Sequence, residues 1–427
     1  MLSHSSTPNN SRRPVYIGIQ NPQEFYTNDD VVKGAVCVHP TERPRAIRVT
    51  FKGRCKMKIS PSNEKVTYKS TLELFSYEQV LFNSSNLEES YDIVRRGIGD
   101  NGKVQLPFEF RFPEKVQMPP TNGHKPRPGF EHEPGHPLPT SFEYSVGQNV
   151  YSTEYYLEAL VYKSVVWSPD ETIIQKLPFR PTPPVTDPNQ FVQRPKFAEF
   201  YIRSHSLNWD SAQEPSTLTK IRWSLTKAQD STPVARWRVV AHCPYRLITG
   251  GIIPVSFSFH QLDSSPNLSQ EPVVRIGQIR VKLTCKLSTR IPHRGFTGER
   301  DITDFDETDI FEKRFLGYNK VMRHGLKLAE LGDFRLPPTI LPSFQTYGLR
   351  LMYRIKIVVE GECATQEFSV TALRDTCEVV CGVQRPGTTG PIGTDVAGTS
   401  GVLAQDGPGD EPLPAYEPAP SYEEAIP

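Results

Sequence analysis

The sequence predicts an all-β protein of two tandem β-sandwiches with an acidic, Pro-rich tail, and three observations carry that prediction. Residues Ile47 to Ile59 alternate strictly between core-type side chains (Ile47, Val49, Phe51, Gly53, Cys55, Met57, Ile59) and polar ones (Arg48, Thr50, Lys52, Arg54, Lys56, Lys58). A period of two belongs to a strand with one face in a core and one in water, because a helix cannot gather such positions on one side. The same Ile-Arg-Val alternation returns at Ile279, Val281, Leu283, Cys285 and Leu287 against Arg280, Lys282, Thr284 and Lys286, so the chain reads as a duplication. Finally, 40 prolines in 427 residues, roughly twice the ~5% of ordinary usage, leave little room for long helices, while 10% aromatic residues supply a core.

Taken in order, residues 1–13 read as a disordered leader. The Asn28-Asp29-Asp30 turn opens a strand from Val31 to His39, joined through Pro40 to Pro44 to the long alternating strand. Phe75 to Phe82 and Leu106 to Phe112 continue the strand pattern, and Met118 to Pro139 is a loop holding His124, His132 and His136. Tyr155 to Val166 closes a first domain at 14–180, and the Pro-rich run at 181–190 has the composition of a semi-rigid linker. The second domain, 191–381, opens its strands at Gly250 to Phe259, continues through Gln278 to Leu287, and ends on Tyr353 to Val358. Pro342-Ser343-Phe344 precedes Tyr353 as Pro139-Thr140-Ser141-Phe142 precedes Tyr156, which extends the repeat. Asp301 to Arg314 reads as a short helix or an acidic loop. Residues 382–427 read as a disordered tail.

Charge divides along the same line. From Gly382 onward one Arg accompanies seven Asp and Glu, a net of −6, which leaves +7 on residues 1–381 out of +1 overall. A mildly basic body falls well below the charge density of a nucleic-acid binder, and it suits attraction to acidic or phosphorylated partners or an anionic membrane surface. No stretch is apolar for about 18 residues, the length a spanning helix needs, and the opening residues have no signal-peptide run. Seven cysteines without framework spacing favour reduced thiols in a cytosolic protein.

These landmarks resemble those of the arrestins, and more particularly the fungal α-arrestins, or arrestin-related trafficking adaptors. The likeness rests on Asp29 to Val38, Ile47 to Gly53, Leu106 to Phe112, Leu138 to Phe142, Thr249 to Val255 and, most specifically, Leu336 to Tyr347. It implies arrestin-like N- and C-terminal sandwiches and a role in choosing membrane cargo, the cytoplasmic segments of transporters or receptors, for ubiquitination and endocytosis. It also implies Pro-Pro-x-Tyr motifs that dock WW domains of HECT-type ubiquitin ligases.

The tail holds two candidates for that docking, Leu413-Pro414-Ala415-Tyr416 and Ala419-Pro420-Ser421-Tyr422. Pro-x-Tyr triplets occur here near their chance frequency, and a third, Pro14-Val15-Tyr16, lies in a strand-like stretch. Position therefore carries the argument: both tail copies lie where no core would consume them, and their prolines favour the extended form that WW grooves accept at little ordering cost. Leu413, Pro414, Tyr416, Pro420 and Tyr422 are the expected contacts. Arg48, Lys52, Arg54, Lys56, Arg280 and Lys282 admit two readings: ordinary solvent-facing charge that protects a sheet, or contacts to acidic cargo, phosphate or anionic lipid.

Catalytic signatures are absent. There is no Gly-x-Ser-x-Gly elbow, Walker loop, His-Glu-x-x-His or Rossmann fingerprint, and Gly97 to Gly102 follows Arg95-Arg96 without opening a helix. No catalytic residue, metal ligand or cofactor is assigned. The expectation is a cytosolic adaptor recruited peripherally to plasma membrane or endosomes. The alternatives are an arrestin-fold signalling or sorting scaffold that recruits no ligase, or a hydrolytic or binding β-protein with an incidental tail. Ser-Pro and Thr-Pro pairs at Thr7, Ser60, Ser168, Thr182, Thr232 and Ser265 are candidate phosphosites.

Overall fold

The computed structural model describes residues 13–382 apart from 43, 62–65, 85–101, 121–124, 164–168, 183–192, 209–231, 266–271 and 296–297. The leader before residue 13, most of the linker and the tail from 383 onward lie outside the described residues. Among the described residues eighteen strands follow one another. The first half contains β1 (Val15–Ile19), β2 (Val31–Val38), β3 (Pro44–Ile59), β4 (Tyr68–Asn83), β5 (Val104–Arg111), β6 (Phe142–Val146), β7 (Asn149–Lys163) and β8 (Glu171–Lys176). The second contains β9 (Gln193–Arg203), β10 (Val234–Pro244), β11 (Arg246–Ile248), β12 (Ser256–Ser264), β13 (Val274–Gly295), β14 (Gly298–Val321), β15 (Leu326–Lys327), β16 (Phe344–Gln345), β17 (Leu349–Cys363) and β18 (Gln366–Val380).

Each half forms a sandwich from a small and a large sheet. In the first, the order β1-β2-β5 faces β4-β3-β7-β6, with β8 also on β7. In the second, β15-β12-β10-β9 faces β11-β18-β17-β13-β14, with β16 on β17. The large sheets are built alike: a central long strand (β3, β13) lies between a hairpin partner (β4, β14) and a tyrosine-bearing strand (β7, β17). The fold is thus all-β with tandem sandwiches, as the alternation predicts.

The core side of β3 is buried throughout, from Ile47 to Ile59. Its Phe51 packs edge-on to Phe75 and Phe112, with ring centroids 4.8 and 4.7 Å apart, contacts favoured beyond their area burial by the ring quadrupoles. Gly53 interrupts the large side chains because a Cβ there would stand 2.6 Å from Phe75 and 2.9 Å from Tyr155. In the second sandwich Trp237 is fully buried and stacks on Phe200, which stacks in turn on Phe368 at 4.2 Å.

A clip closes both sandwiches in the same way. Tyr155 donates its hydroxyl to the Pro139 carbonyl at 2.6 Å, and Tyr353 donates to Leu341 at 2.6 Å. Two residues beyond each accepting carbonyl, Ser141 and Ser343 exchange bonds with Phe179 and Val379: the serine N–H donates to the carbonyl at 3.0 and 2.7 Å, and each serine Oγ accepts the returning N–H at 2.9 Å. The equivalent of Tyr353 is therefore Tyr155, one residue before the Tyr156 that the sequence repeat suggests. Tyr156 instead lies under the Arg54 guanidinium, 4.3 Å from its ring centre.

Several boundaries differ from the sequence reading. The stretch from Asp301 to Arg314 is neither helix nor loop but the middle of β14, a 24-residue strand. Its carboxylates depress strand propensity, and pairing along β13, which sets Lys286 opposite Glu307 and Lys282 opposite Glu312, offsets this. The strand expected at Phe75 starts at Tyr68, and β13 extends to Gly295. Gly250 turns the chain with φ +73°, so the strand expected there begins only at Ser256.

Candidate functional site

The outer faces of the two large sheets carry the cations singled out in the sequence, and pairing register decides what each one meets. On the first sandwich Arg48 reaches Glu78 at 3.5 Å, Lys52 reaches Glu158 at 2.7 Å, and Arg54 and Lys56 share Glu154 at 3.2 and 2.8 Å. Burial pushes the Glu154 carboxyl up, and Lys56, Lys176 and Arg54 outweigh that effect to hold it below its usual range. Burial likewise lowers Lys52 while its bond to Glu158 raises it further, leaving it above its ordinary value. This ladder is charge-compensated, and such half-exposed pairs contribute about 0–1 kcal/mol each.

The second sandwich differs. Arg280 pairs with Glu360 at 3.5 Å, Lys282 with Asp309 at 2.6 Å, and Lys286 with Glu307 at 3.5 Å. Across the sheet from Lys282, register places Lys356 on β17 directly opposite, and Arg374 on β18 directly opposite Lys356. The neighbouring core positions Ile355, Ile357 and Leu373 are buried, so the three cations share the outer face and form a row across three adjacent strands. At ~4.8 Å per strand the row is about 10 Å long. Neither Lys356 nor Arg374 has an ion-pair partner among the described residues. Like charges set directly opposite are destabilising, so this row is a place on the sheet where an incoming anion relieves repulsion. Arg354, one pair along β17, contributes a further cation that reaches Glu307 only at 3.7 Å.

One end of this face is closed by the first sandwich. Arg290 on β13, with only 1% of its side chain exposed, lies with Nε 3.0 Å from Asp301, off the hydrogen-bonding direction, and donates from Nη2 to the Lys125 carbonyl at 2.6 Å. Its Nη1 has no partner among the described residues. Arg127 adds a second cation to Asp301 at 2.9 Å. On the other side of β14, Tyr151 and Asn149 donate to Asp304 at 2.5 and 2.7 Å, and Tyr144 donates to Asp306. Burial and then the bond to the Asp304 carboxylate push the Tyr151 phenol up. Tyr347 completes the seam by donating to the Met118 carbonyl at 2.9 Å.

The remaining candidates are placed as follows. His132 is exposed beside Glu133, His136 is buried edge-on to Tyr347 at 4.8 Å, and His124 lies outside the described residues. Burial pushes the thiols of Cys55 up to about 11 and of Cys243, Cys285 and Cys363 up to about 12, the opposite of the activation a reactive thiol needs. A cavity of about 10 Å³ between Cys243, Tyr245, Leu373 and Cys377 has room for roughly one water. Leu413, Pro414, Tyr416, Pro420 and Tyr422 lie outside the described residues. The sequence alone does not mark Lys356 and Arg374 as neighbours. The Tyr353-Arg-Ile-Lys-Ile alternation marks Lys356 as outward, but only the strand pairing reveals what stands opposite it.

Residues 15–177 match the family of arrestin (or S-antigen) N-terminal domains. No curated protein matches the chain. The matched span covers the first sandwich from β1 to the end of β8. Over that span the chain is similar to an arrestin N-terminal domain, a kind of domain that suggests an adaptor or trafficking-scaffold role.

Proposed function

We propose that the protein is a cytosolic adaptor that joins membrane-protein cargo to a WW-domain HECT ubiquitin ligase and so promotes ubiquitination and endocytosis of the cargo. The observation that carries the cargo half is the row Lys282, Lys356 and Arg374, in which two facing cations lack a carboxylate partner among the described residues. An acidic or phosphorylated cytoplasmic segment of a transporter or receptor supplies the missing anions, and an extended chain laid across three strands matches the row's length. The ligase half rests on Leu413 to Tyr416, with Ala419 to Tyr422 as a weaker second site. Two weak sites on one tail gain through effective concentration when the ligase carries several WW domains. The adaptor makes and breaks no bonds; it raises the local concentration of ligase near the cargo's lysines.

Fluorescence anisotropy with the full chain and labelled acidic or phosphoserine peptides tests the first half. Lys356→Glu with Arg374→Glu should weaken binding at least tenfold, the loss of about one charge-assisted bond, with a shallower salt dependence. Unchanged affinity refutes the site. Tyr416→Ala with Tyr422→Ala should abolish capture by a WW-domain array without altering thermal unfolding, and retained capture refutes the ligase half.

A further inference from the structure

Of the Ser-Pro and Thr-Pro pairs, Thr7 and Ser168 lie outside the described residues. Ser265 spends its hydroxyl oxygen accepting the Val234 N–H at 2.9 Å. Thr182 is exposed, with its N–H bonded to the Asn28 Oδ1 at 2.9 Å, whereas Ser60 lies at the end of a paired strand, where register fixes its neighbours. It follows the last residue of β3, and its position before Pro61 favours the extended backbone that a kinase cleft accepts. Both residues are half-exposed. Its Oγ meets the Thr67 Oγ1 at 3.0 Å across the hairpin, on the solvent side.

The next outward pair along the same two strands is Lys58 opposite Lys69. Residues two apart on a strand share a face at about 7 Å, within the reach of a lysine side chain. Neither lysine has a carboxylate partner among the described residues, so here too like charges stand opposed.

We propose that Ser60 is a phosphorylation site of a proline-directed protein kinase and that Lys58 and Lys69 hold the phosphate. In the transfer the Ser60 Oγ attacks the γ-phosphorus of a nucleoside triphosphate, the Oγ–P bond forms and the P–O bond to the β-phosphate breaks. The nucleoside diphosphate leaves, and the hydroxyl proton passes to the kinase's catalytic carboxylate. The product carries close to two negative charges and three acceptor oxygens, which converts a repulsive lysine pair into a phosphate clamp across the β3–β4 hairpin.

The clamp lies next to the seam between the sandwiches. The Ser60 N–H donates to the Asn149 Oδ1 at 2.7 Å, and the same Asn149 donates from Nδ2 to Asp304 of β14 at 2.7 Å. Tyr68, in the same hairpin, packs edge-on to His293 of β13 at 4.9 Å. Fixing the hairpin end therefore fixes residues that touch the second sandwich.

The test uses the full chain, a proline-directed kinase and ATP, with site mapping by mass spectrometry, and in parallel the chain with phosphoserine genetically encoded at position 60. Wild type should take up phosphate at Ser60, and Ser60→Ala should lose that label. The encoded phosphoserine should raise the thermal midpoint by about 2–4 °C, and Lys58→Ala with Lys69→Ala should remove the rise while still accepting phosphate from the kinase. Absence of label on Ser60, whether or not another Ser-Pro or Thr-Pro pair is labelled, overturns the modification. A midpoint that does not rise, or rises equally without the two lysines, overturns the clamp.

Discussion

Arg290 offers the sharpest test of how the two sandwiches are held together. Arg290→Ala deletes the bond to the Lys125 carbonyl at 2.6 Å and removes one of the two cations facing Asp301. Breaking a buried pair by removing one partner costs about 3–5 kcal/mol. Two features lower that figure here: Arg127 remains 2.9 Å from Asp301, and the Asp301 side chain is 22% exposed, so water reaches the stranded carboxylate. The expected loss is about 2–3 kcal/mol, which comprises the stranded Lys125 carbonyl and a weakened Asp301 contact. Native-state hydrogen exchange resolves such a local change, because the loss should appear as faster exchange of roughly 30- to 150-fold in segments 125–131 and 301–308. Segments distant from the seam, such as β10, should exchange as before. Arg290→Lys should fall between, since an ammonium keeps the charge but loses the fork that spans Asp301 and Lys125. Protection within twofold of wild type in Arg290→Ala would show that the guanidinium is not what joins the sandwiches.

Two other perturbations probe the fold from different sides. Gly53→Ala should cost about 1–3 kcal/mol by overpacking, because its Cβ would press on Phe75 and Tyr155 from within 3 Å; chemical denaturation checks this, and an unchanged midpoint would mean that the aromatic cluster yields. His136 should make the seam pH-sensitive. Its Nδ1 faces the Glu133 carbonyl at 3.1 Å, its Nε2 is buried without a partner among the described residues, and it abuts Tyr347 near Glu131. Burial is the main cause holding its pKa below the ordinary 6.5, against smaller upward contributions from the Glu133 carbonyl and Glu131. The stability of the neutral ring is thus present above about 6.5 and is lost as pH falls through the lowered value. His136→Phe should flatten the dependence of stability on pH between about 7 and 5, and an unaltered slope would exclude this residue as its source.

How far the sequence could be read depended on where information sits in each element. The alternation of β3 is local, so Ile47 to Ile59 identifies itself. β14 does not, because Asp304, Asp306 and Glu307 are poor strand formers whose partners lie in β13 and the first sandwich. The repeated clip is legible as an order of Ser, Phe and Tyr, but adjacent Tyr155 and Tyr156 can be told apart only by which hydroxyl reaches Pro139. The cationic row was half legible. Lys282 stands in a visible ladder, whereas its alignment with Lys356 and Arg374 depends on pairings that include a bulge between Ile357 and Val358. Charge compensation of the first ladder was hidden for the same reason: Glu154 and Glu158 lie about a hundred residues from the cations they meet.

Strand β14 is one residue thick, and from Asp304 to Glu307 its two faces have different owners. Asp304 and Asp306 face the tyrosines of the first sandwich, while the next residue, Glu307, turns the other way to meet Lys286 and Arg354 beside the cationic row. A wall this thin cannot be moved on one side alone. An anion that takes Lys286 or Arg354 away from Glu307 frees a carboxylate whose chain neighbours hold the first sandwich in place, so occupancy and cohesion share one piece of backbone.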